Sequence, residues 1–268
     1  MRKIIYRFSG IESVAESLNP FYYLSKIFFK LFSFLNGKSI LHGPFKGMIL
    51  ADLRRGSEYA PKYLGTYESE LYPYFDEYKS VNKPTMIIDI GADDGYYSIG
   101  LSKTLERGVI YSYELNPDSC VHLQKNIEIN RELLNKSIQI QVINKKIENF
   151  LDIRDILETH KDYSILIKSD IEGGEYDLFQ ESFIKSLSKY PLTILIETHL
   201  SLEMENNLID NFIKNGFKTE MIDKIYKKNK IYYKHLNLIS RILLFIYWNN
   251  WTNEHRPKFN RWIKLSNI

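Results

Sequence analysis

The chain has 268 residues, of which 44% are hydrophobic and 26% are charged. That apolar content is enough for a sizeable core and excludes a disordered chain. The formal net charge is only +3, and acids and bases are interspersed, which argues against a general preference for nucleic acid.

The first part of the chain, residues 1–80, is predicted to be an appendage of helices and a hairpin, and residues 81–268 a larger domain. Residues 1–10 lack the apolar run and the small-residue cleavage site of a signal peptide, which favours a cytoplasmic location. Within the appendage we predict a hairpin over residues 39–50, turning at Gly43-Pro44, and a short helix over residues 67–78.

The most apolar stretch of the appendage is residues 21–35, which is too short to span a bilayer. Lys26 and Lys30 fall on one stripe, so the stretch predicts an amphipathic helix with a wide aromatic face. We expect this face to pack on the sheet or over the active site, because aromatic stripes at helical spacing are more often core. Peripheral contact with a membrane surface is the alternative. Residues 236–251 pose the same choice, and the two stretches are candidates to share one apolar surface.

The larger domain opens with a strand that runs into a glycine loop and then a helix. Asp89 near the end of the strand, followed by Gly91 and Gly95, is typical of α/β proteins that bind a nucleoside-type ligand. Asp93 and Asp94 would oppose a pyrophosphate at this helix start, whereas they suit a cationic ligand. S-adenosylmethionine carries a sulfonium and an ammonium group and no phosphate, so the loop favours this cofactor.

The loop has two other interpretations. A dinucleotide-binding loop of the form Gly-x-Gly-x-x-Gly would need glycine where this chain has Asp93 and Tyr96. A tight turn in which Asp94 caps the helix needs no ligand at all. The next strand favours a nucleoside-binding loop, because it ends in Glu114, about 20 residues after the glycines. A carboxylate there accepts hydrogen bonds from both hydroxyls of a ribose, and an exposed strand-end acid is the alternative.

Strands and helices alternate through the larger domain, which predicts a doubly wound, mostly parallel, Rossmann-like sheet. Two later strands end in polar residues, so Asp170, Glu172, Glu197 and His199 are expected at the same carboxyl edge as Asp89 and Glu114. The predicted strands lie near 86–90, 109–114, 138–143, 164–169, 192–197, 217–222, 231–233 and 261–265, and the predicted helices near 95–106, 117–135, 147–158, 173–188 and 203–215, with residues 236–251 inserted between the last strands.

Several motifs together resemble the FkbM-type S-adenosylmethionine-dependent methyltransferases. The most specific of them is the acidic block that follows the fourth strand. The motifs are Asp89-Ile-Gly-Ala, Tyr113-Glu114, Lys168-x-Asp170-x-Glu172-Gly-x-Glu175 and Glu197-x-His199, with similar segments at residues 42–48 and 64–71 and at Arg256-Pro257 and Trp262. The Asp93-Asp94 pair departs from the family pattern.

The resemblance implies a methyltransferase that uses S-adenosylmethionine on a hydroxyl of a glycan, a lipid-linked sugar or a secondary metabolite. It also implies that Glu68 closes the amino-acid end of the cofactor. The residues predicted to bind the cofactor are Asp89, Gly91, Asp93, Gly95, Tyr96, Glu114, Glu68, Asp170 and Glu172. Among them, the face of Tyr96 is expected to attract the sulfonium.

A hydroxyl acceptor must lose its proton, and His199 is the best candidate base because it titrates near neutrality. The alternative is that His199 only hydrogen-bonds a loop carbonyl. Asp170 is the other catalytic candidate, with Lys168 placed to tune it. No compact ligand motif is present, so no metal site is predicted, although Asp170, Glu197 and His199 could hold a divalent cation instead. Glu172 and Glu175 have the alternative role of stabilising a helix start.

Two rival functions follow from the same sequence. A nicotinamide-dependent oxidoreductase is less favoured, because the third glycine is missing and the loop is acidic. A membrane-associated binding module would use residues 21–35 and keep only a vestigial nucleoside site. The basic run over residues 224–234 is interpreted as a hairpin rather than as a nucleic-acid surface, so no nucleic-acid partner is predicted.

Overall fold

The computed structural model of the protein describes residues 20–50, 59–79, 82–222, 236–252 and 261–268. The predictions made for residues 1–10, for the basic run 224–234, for the strand 231–233 and for Arg256-Pro257 lie outside these residues.

Within the described residues, seven strands form one mostly parallel sheet, as predicted for its class, in the order β3-β2-β1-β4-β5-β7-β6. The first five strands are mutually parallel, and β7 runs antiparallel to both of its neighbours. Starting from β1, the chain adds β2 and β3 on one side of it and then β4 and β5 on the other side. This is the doubly wound arrangement. The strands are β1 Thr85–Ile90, β2 Gly108–Glu114, β3 Ile138–Asn144, β4 Ser164–Ser169, β5 Leu192–Thr198, β6 Lys218–Ile222 and β7 Arg261–Ser266.

The burial of the strands follows their place in the sheet. Strands β1 and β5 are buried at every position, as expected of parallel strands covered on both faces. The edge strand β3 instead exposes Gln139 and Gln141. Alternate residues of one strand enter opposite cores: Ile88 packs in one hydrophobic cluster and Ile87 in the other.

Helices cover both faces of the sheet, and their positions agree with most predicted ranges. The helices are α1 Pro20–Asn36, α2 Tyr59–Leu64, α3 Tyr72–Asp76, α4 Tyr96–Thr104, α5 Pro117–Ile129, α6 Leu151–Thr159, α7 Glu175–Leu178, α8 Glu181–Leu187, α9 Leu202–Lys214 and α10 Leu238–Thr252, with 3₁₀ turns at Ser69–Leu71 and Arg131–Leu133.

Two helices are shorter than the sequence predicted. The stretch 173–188 is broken into α7 and α8, because Gln180 is extended and turns the chain so that both Leu178 and Phe183 reach the same core. The helix expected over 117–135 ends at Ile129. Asn130 then turns the chain into a 3₁₀ segment. Helix α2 was not predicted.

The predicted hairpin over residues 39–50 is present in a short form. Ser39 and Ile49 form an antiparallel bridge, and the Lys46 N–H donates to the Gly43 carbonyl at the turn. The side chain of Asn130, at the end of α5, accepts from the Ile49 N–H at 2.7 Å and donates to the Ile49 carbonyl at 2.8 Å. One buried amide therefore ties the hairpin to the helical layer.

Helices α1 and α10 pack on each other and on α2 rather than on the sheet, and they share a third hydrophobic core. The rings of Phe29 and Trp251 lie 5.0 Å apart, and the Trp251 indole N–H donates to the Ser25 carbonyl at 3.2 Å. At the opposite ends, the Asn36 amide donates to Ser240 Oγ at 2.8 Å. These two contacts make the helices antiparallel. Among the described helices, none is long and apolar enough to cross a membrane.

Replacing Asn130 with alanine should lower the free energy of unfolding by about 2–4 kcal/mol, because the Ile49 N–H and carbonyl would lose their partner. Urea denaturation followed by circular dichroism measures this. The matched control is Asn206→Ala, an exposed position on α9, where a change within about 0.5 kcal/mol is expected. Equal effects of the two substitutions would contradict a stabilising role for the hydrogen bonds between Asn130 and Ile49.

Candidate functional site

The glycine loop after β1 is pressed against its neighbours at both of its glycines. Gly91 and Gly95 have φ values of 76° and 85°, and a Cβ atom on Gly91 would lie 1.9 Å from the Asp170 carbonyl oxygen. A Cβ on Gly95 would lie 1.9 Å from Leu123 Cδ1. Packing within the protein therefore explains both glycines. The loop lies against the end of β4, where the order of the sheet reverses and open α/β sheets bind ligands.

Glu114, at the tip of β2, lies against this loop. Its Oε2 accepts from the Asp93 N–H at 2.9 Å and its Oε1 from the Asn116 N–H at 2.7 Å. Asp93 has a left-handed φ of 44°, which the hydrogen bond to Glu114 helps to hold. A carboxylate oxygen accepts more than one hydrogen bond, so Glu114 retains acceptor capacity toward a ligand.

Asp94 stabilises the start of α4, a structural role that needs no ligand. Its Oδ1 accepts from the Tyr96 N–H at 3.1 Å at the start of α4, although the cap residue itself is Gly95. The Lys62 ammonium lies 3.3 Å from Asp94 Oδ2. Burial alone would lower the pKa of Lys62, but the charges of Asp94 and Asp93 outweigh it and raise that pKa.

The ring of Tyr96 is buried and faces a cation from its own chain. The Lys62 ammonium lies 5.3 Å from the centroid of Tyr96 and equally far from that of Tyr67. The two rings meet edge to face at 5.4 Å. Lys62 was missed by the sequence analysis, since no local pattern links a lysine of the appendage to the glycine loop.

A buried ion pair joins the ends of β1 and β4. Asp89 is fully buried, its Oδ2 accepts from Ser98 Oγ at 2.6 Å, and its Oδ1 lies 3.4 Å from the Lys168 ammonium. Lys168 also donates to the Gly91 carbonyl at 3.4 Å and lies 3.9 Å from Asp170 Oδ2. Although burial lowers the pKa of Lys168, the neighbouring carboxylates raise it by more. Lys168 therefore links β1, the glycine loop and Asp170.

Glu68 reaches the same place from the appendage. It is fully buried with a left-handed φ of 46°, and it accepts a hydrogen bond from the Tyr97 hydroxyl. Burial, together with the charge of Glu68, raises the pKa of Tyr97 well above its usual value. Carboxylate oxygens of Glu68, Asp170 and Glu197 lie within 4.8 Å of one another.

His199 lies at the centre of a second group of carboxylates, past the end of β5. Its Nδ1 is 2.8 Å from Oε1 of the buried Glu175. Its Nε2 lies 3.6 Å from oxygens of Glu172 and Glu197 and 3.8 Å from Asp170 Oδ1. Burial lowers the pKa of His199, but the Glu175 hydrogen bond and the Glu197 and Asp170 charges outweigh it and raise the pKa to about 9.

The sequence analysis missed Glu175 as the partner that orients His199, although it lies in the same acidic block. Its Oε1 also accepts from the Gly173 N–H at 3.3 Å, just ahead of α7. One potential metal-ligand atom from each of Asp170, Glu172 and His199 lies within 4.8 Å of the other two, and such a set could hold a divalent cation.

The structure thus brings most of the predicted site residues to one rim. Carboxylates outnumber basic side chains there, so the rim suits a ligand with positive charge. The residues of this rim form two clusters. The first contains Asp89, Gly91, Lys168, Asp170 and Glu68, and the second contains His199, Glu172, Glu175 and Glu197.

Comparison with known proteins gives no family for this chain: no family model matches it, and no curated protein matches it. Similar solved structures include a precorrin-6Y C5,15-methyltransferase from Geobacter metallireducens, with 14% identity over 74% of this chain and 87% of that one and a TM-score of 0.44. A SAM-dependent O-methyltransferase from Thermotoga maritima has 12% identity over 73% and 64% of the two chains, with a TM-score of 0.45.

A third similar structure is the magnesium protoporphyrin IX methyltransferase from Synechocystis with bound SAM. It has 10% identity over 81% of this chain and 87% of that one, with a TM-score of 0.44. With identities and TM-scores this low, the function of the present chain has to be argued from its own residues.

The raised pKa of His199 makes stability depend on pH. The folded protein binds one more proton than the unfolded chain between the unfolded pKa near 6.5 and the folded value of about 9. The stabilisation is therefore complete below pH 6.5 and is lost as the pH rises through 9. The difference in unfolding free energy between wild type and His199→Gln should shrink by about 3 kcal/mol from pH 6 to pH 10.

Chemical denaturation at a series of pH values measures this difference. The variant Glu175→Gln removes the hydrogen-bonded charge and should make the dependence on pH shallower, since that hydrogen bond is the largest contribution that raises the pKa. A difference between wild type and His199→Gln that does not change with pH would contradict the prediction.

Proposed function

We propose that this protein is an S-adenosylmethionine-dependent methyltransferase of the FkbM type that methylates a hydroxyl group. The observation that carries the proposal is the hydrogen bond between Glu114 and the Asp93 N–H. It joins the acid at the tip of β2 to the glycine loop of β1, beside the point where the order of the sheet reverses. That is the place and the chemistry for a ribose diol.

The charge of the rim supports this cofactor over a dinucleotide. Carboxylates oppose a pyrophosphate in a partly buried site, and they attract a sulfonium and an ammonium group. Asp170 Oδ1 is buried and has no hydrogen-bond partner among the described residues, so it fits a ligand that donates N–H or O–H groups. The nicotinamide alternative lacks such support.

Four of the predicted binding residues have a proposed role that fits their surroundings. Glu114 would take the ribose hydroxyls, and Glu68 and Asp170 the amino-acid end. Asp89 is paired with Lys168, so it would act by holding Lys168 and thereby the loop. When bound, S-adenosylmethionine supplies an electrophilic methyl group on its sulfonium.

His199 is proposed to take the proton of the acceptor hydroxyl. Its Nδ1 is engaged with Glu175, so Nε2 is the atom that faces the carboxylate cluster and an incoming hydroxyl. With a pKa of about 9, only about 1% of His199 is neutral at pH 7, so the near-neutral titration expected from the sequence is wrong and the rate of transfer should rise with pH up to about 9. Asp170, within reach of both His199 and Lys168, would orient the hydroxyl.

The cofactor proposal is tested by calorimetric titration with S-adenosylmethionine, S-adenosylhomocysteine and NAD. We expect binding of the first two and none of NAD. Glu114→Gln should weaken binding by about 10–100-fold, since hydrogen bonds to a charged group contribute about 1.5–3 kcal/mol. The matched control is Glu128→Gln, an exposed glutamate on α5 that is 73% accessible and should bind like wild type. Absence of binding by the folded protein would refute the proposal.

The acceptor proposal is tested by methyl transfer from labelled S-adenosylmethionine to sugar and lipid-linked sugar fractions. A methyl ether of a hydroxyl resists mild alkali, whereas a methyl ester of a carboxyl group is cleaved, so we expect alkali-stable label. His199→Asn should lower the initial rate by about 10²–10⁴-fold and leave the dissociation constant for S-adenosylmethionine within about threefold of wild type. Label released by alkali would exclude hydroxyl methylation.

A further inference from the structure

The helix pair formed by α1 and α10 exposes an unusually apolar outer face. Phe34 is 84% accessible and Phe245 is 81% accessible, so both rings lie almost wholly outside the core. Ten of the twenty exposed large apolar side chains of the described residues lie on these two helices, so they form a patch and are not scattered. This outer face consists of Leu24, Ile27, Leu31, Phe34, Leu35, Leu238, Ile239, Ile242, Phe245 and Ile246.

The exposed residues of α1 adjoin α10. Leu24, Phe28, Leu31 and Leu35 follow the i, i+4, i+7, i+11 spacing of one helical stripe. Within this stripe, the half-buried Phe28 stacks on Tyr247 of α10 with ring centroids 5.4 Å apart. The exposed stripe of α1 is therefore continuous with the contact between the helices, and the pair presents one broad surface.

The charges on the helix pair are of one sign. Neither helix contains an aspartate or a glutamate, and both Lys30 and Arg241 are exposed. A second copy of the chain placed on the same face would supply no carboxylate from either helix to pair with these cations. A surface that combines hydrocarbon with anionic groups satisfies both the apolar face and the cations.

We propose that the outer face of the helix pair docks in the plane of an anionic lipid bilayer. The apolar side chains enter the boundary between headgroups and acyl chains, and Lys30 and Arg241 pair with the anionic headgroups. This inference goes beyond the proposed function and does not depend on it, because it rests only on the two helices and their exposed side chains.

The helix pair that would dock on the lipid surface is connected to the candidate site. Helix α2 connects the two places, because Tyr63 packs in the core of the helix pair while Lys62 pairs with Asp94 of the glycine loop. The Tyr63 hydroxyl also donates to the Gly37 carbonyl at 2.6 Å, immediately after α1. Of the proposed acceptors, a lipid-linked sugar would be presented at that surface.

The test is flotation of the full-length protein with vesicles of phosphatidylcholine alone or with about one third phosphatidylglycerol. We expect wild type to float with the anionic vesicles, to bind neutral vesicles at least tenfold more weakly, and to be released by salt. The double variant Phe34→Ser/Phe245→Ser should lose binding at least tenfold. A second double variant, Lys30→Gln/Arg241→Gln, should lose the preference for anionic vesicles.

The matched control is Leu115→Ser/Val121→Ser, which changes two exposed apolar side chains outside the helix pair and should bind like wild type. Thermal melting and S-adenosylmethionine titration of every variant separate a folding defect, or a failure of the cofactor proposal, from a loss of docking. Three results would overturn the inference. They are no flotation of folded wild type, flotation that survives Phe34→Ser/Phe245→Ser, and a dimer of wild type that the same variant abolishes, which would assign the face to a second copy.

Discussion

The candidate site depends on one buried ion pair between Asp89 and Lys168. The two residues are register partners on the adjacent parallel strands β1 and β4, so the sheet itself places the carboxylate beside the ammonium. Each group is almost fully buried, and removal of either would leave an uncompensated charge at a cost of about 3–5 kcal/mol. Because Lys168 also contacts the Gly91 carbonyl and lies near Asp170, the pair fixes the glycine loop relative to the acidic rim.

The glycine loop by itself is weak evidence for a ligand. Close approach to the Asp170 carbonyl and to Leu123 accounts for Gly91 and Gly95, and contact with Tyr96 and Lys62 accounts for Asp94. What the packing does not account for is the surplus of carboxylates around Asp170. Charges of one sign gathered at a partly buried rim are costly unless a cationic ligand compensates them. The electrostatics of the rim therefore add support for the proposed cofactor to that given by the hydrogen bond between Glu114 and the loop.

The appendage is connected to the site and is not a separate attachment. Glu68 and Lys62 come from it, and both lie among the residues of the glycine loop or of the acidic rim. The same helix that carries Lys62 also contributes Tyr63 to the core of the helix pair. The short helix α2 thus contacts both the helix pair and the candidate site. The division of the chain into two domains near residue 80 stays a prediction.

The strands of the larger domain and the acids that follow them could be predicted from the sequence because they depend on local pattern. Buried parallel strands are continuous apolar runs, and the polar residue that ends each run, such as Glu114 or Asp170, must lie at the carboxyl edge. Tertiary structure alone decided which side chains meet there. The pairing of His199 with Glu175 and of Lys62 with Asp94 joins residues far apart in the chain, and hydrophobic periodicity carries no information on such contacts. For the same reason, the protonation of His199 is a property of the folded cluster, since an isolated histidine has neither the carboxylates nor the burial that set its pKa.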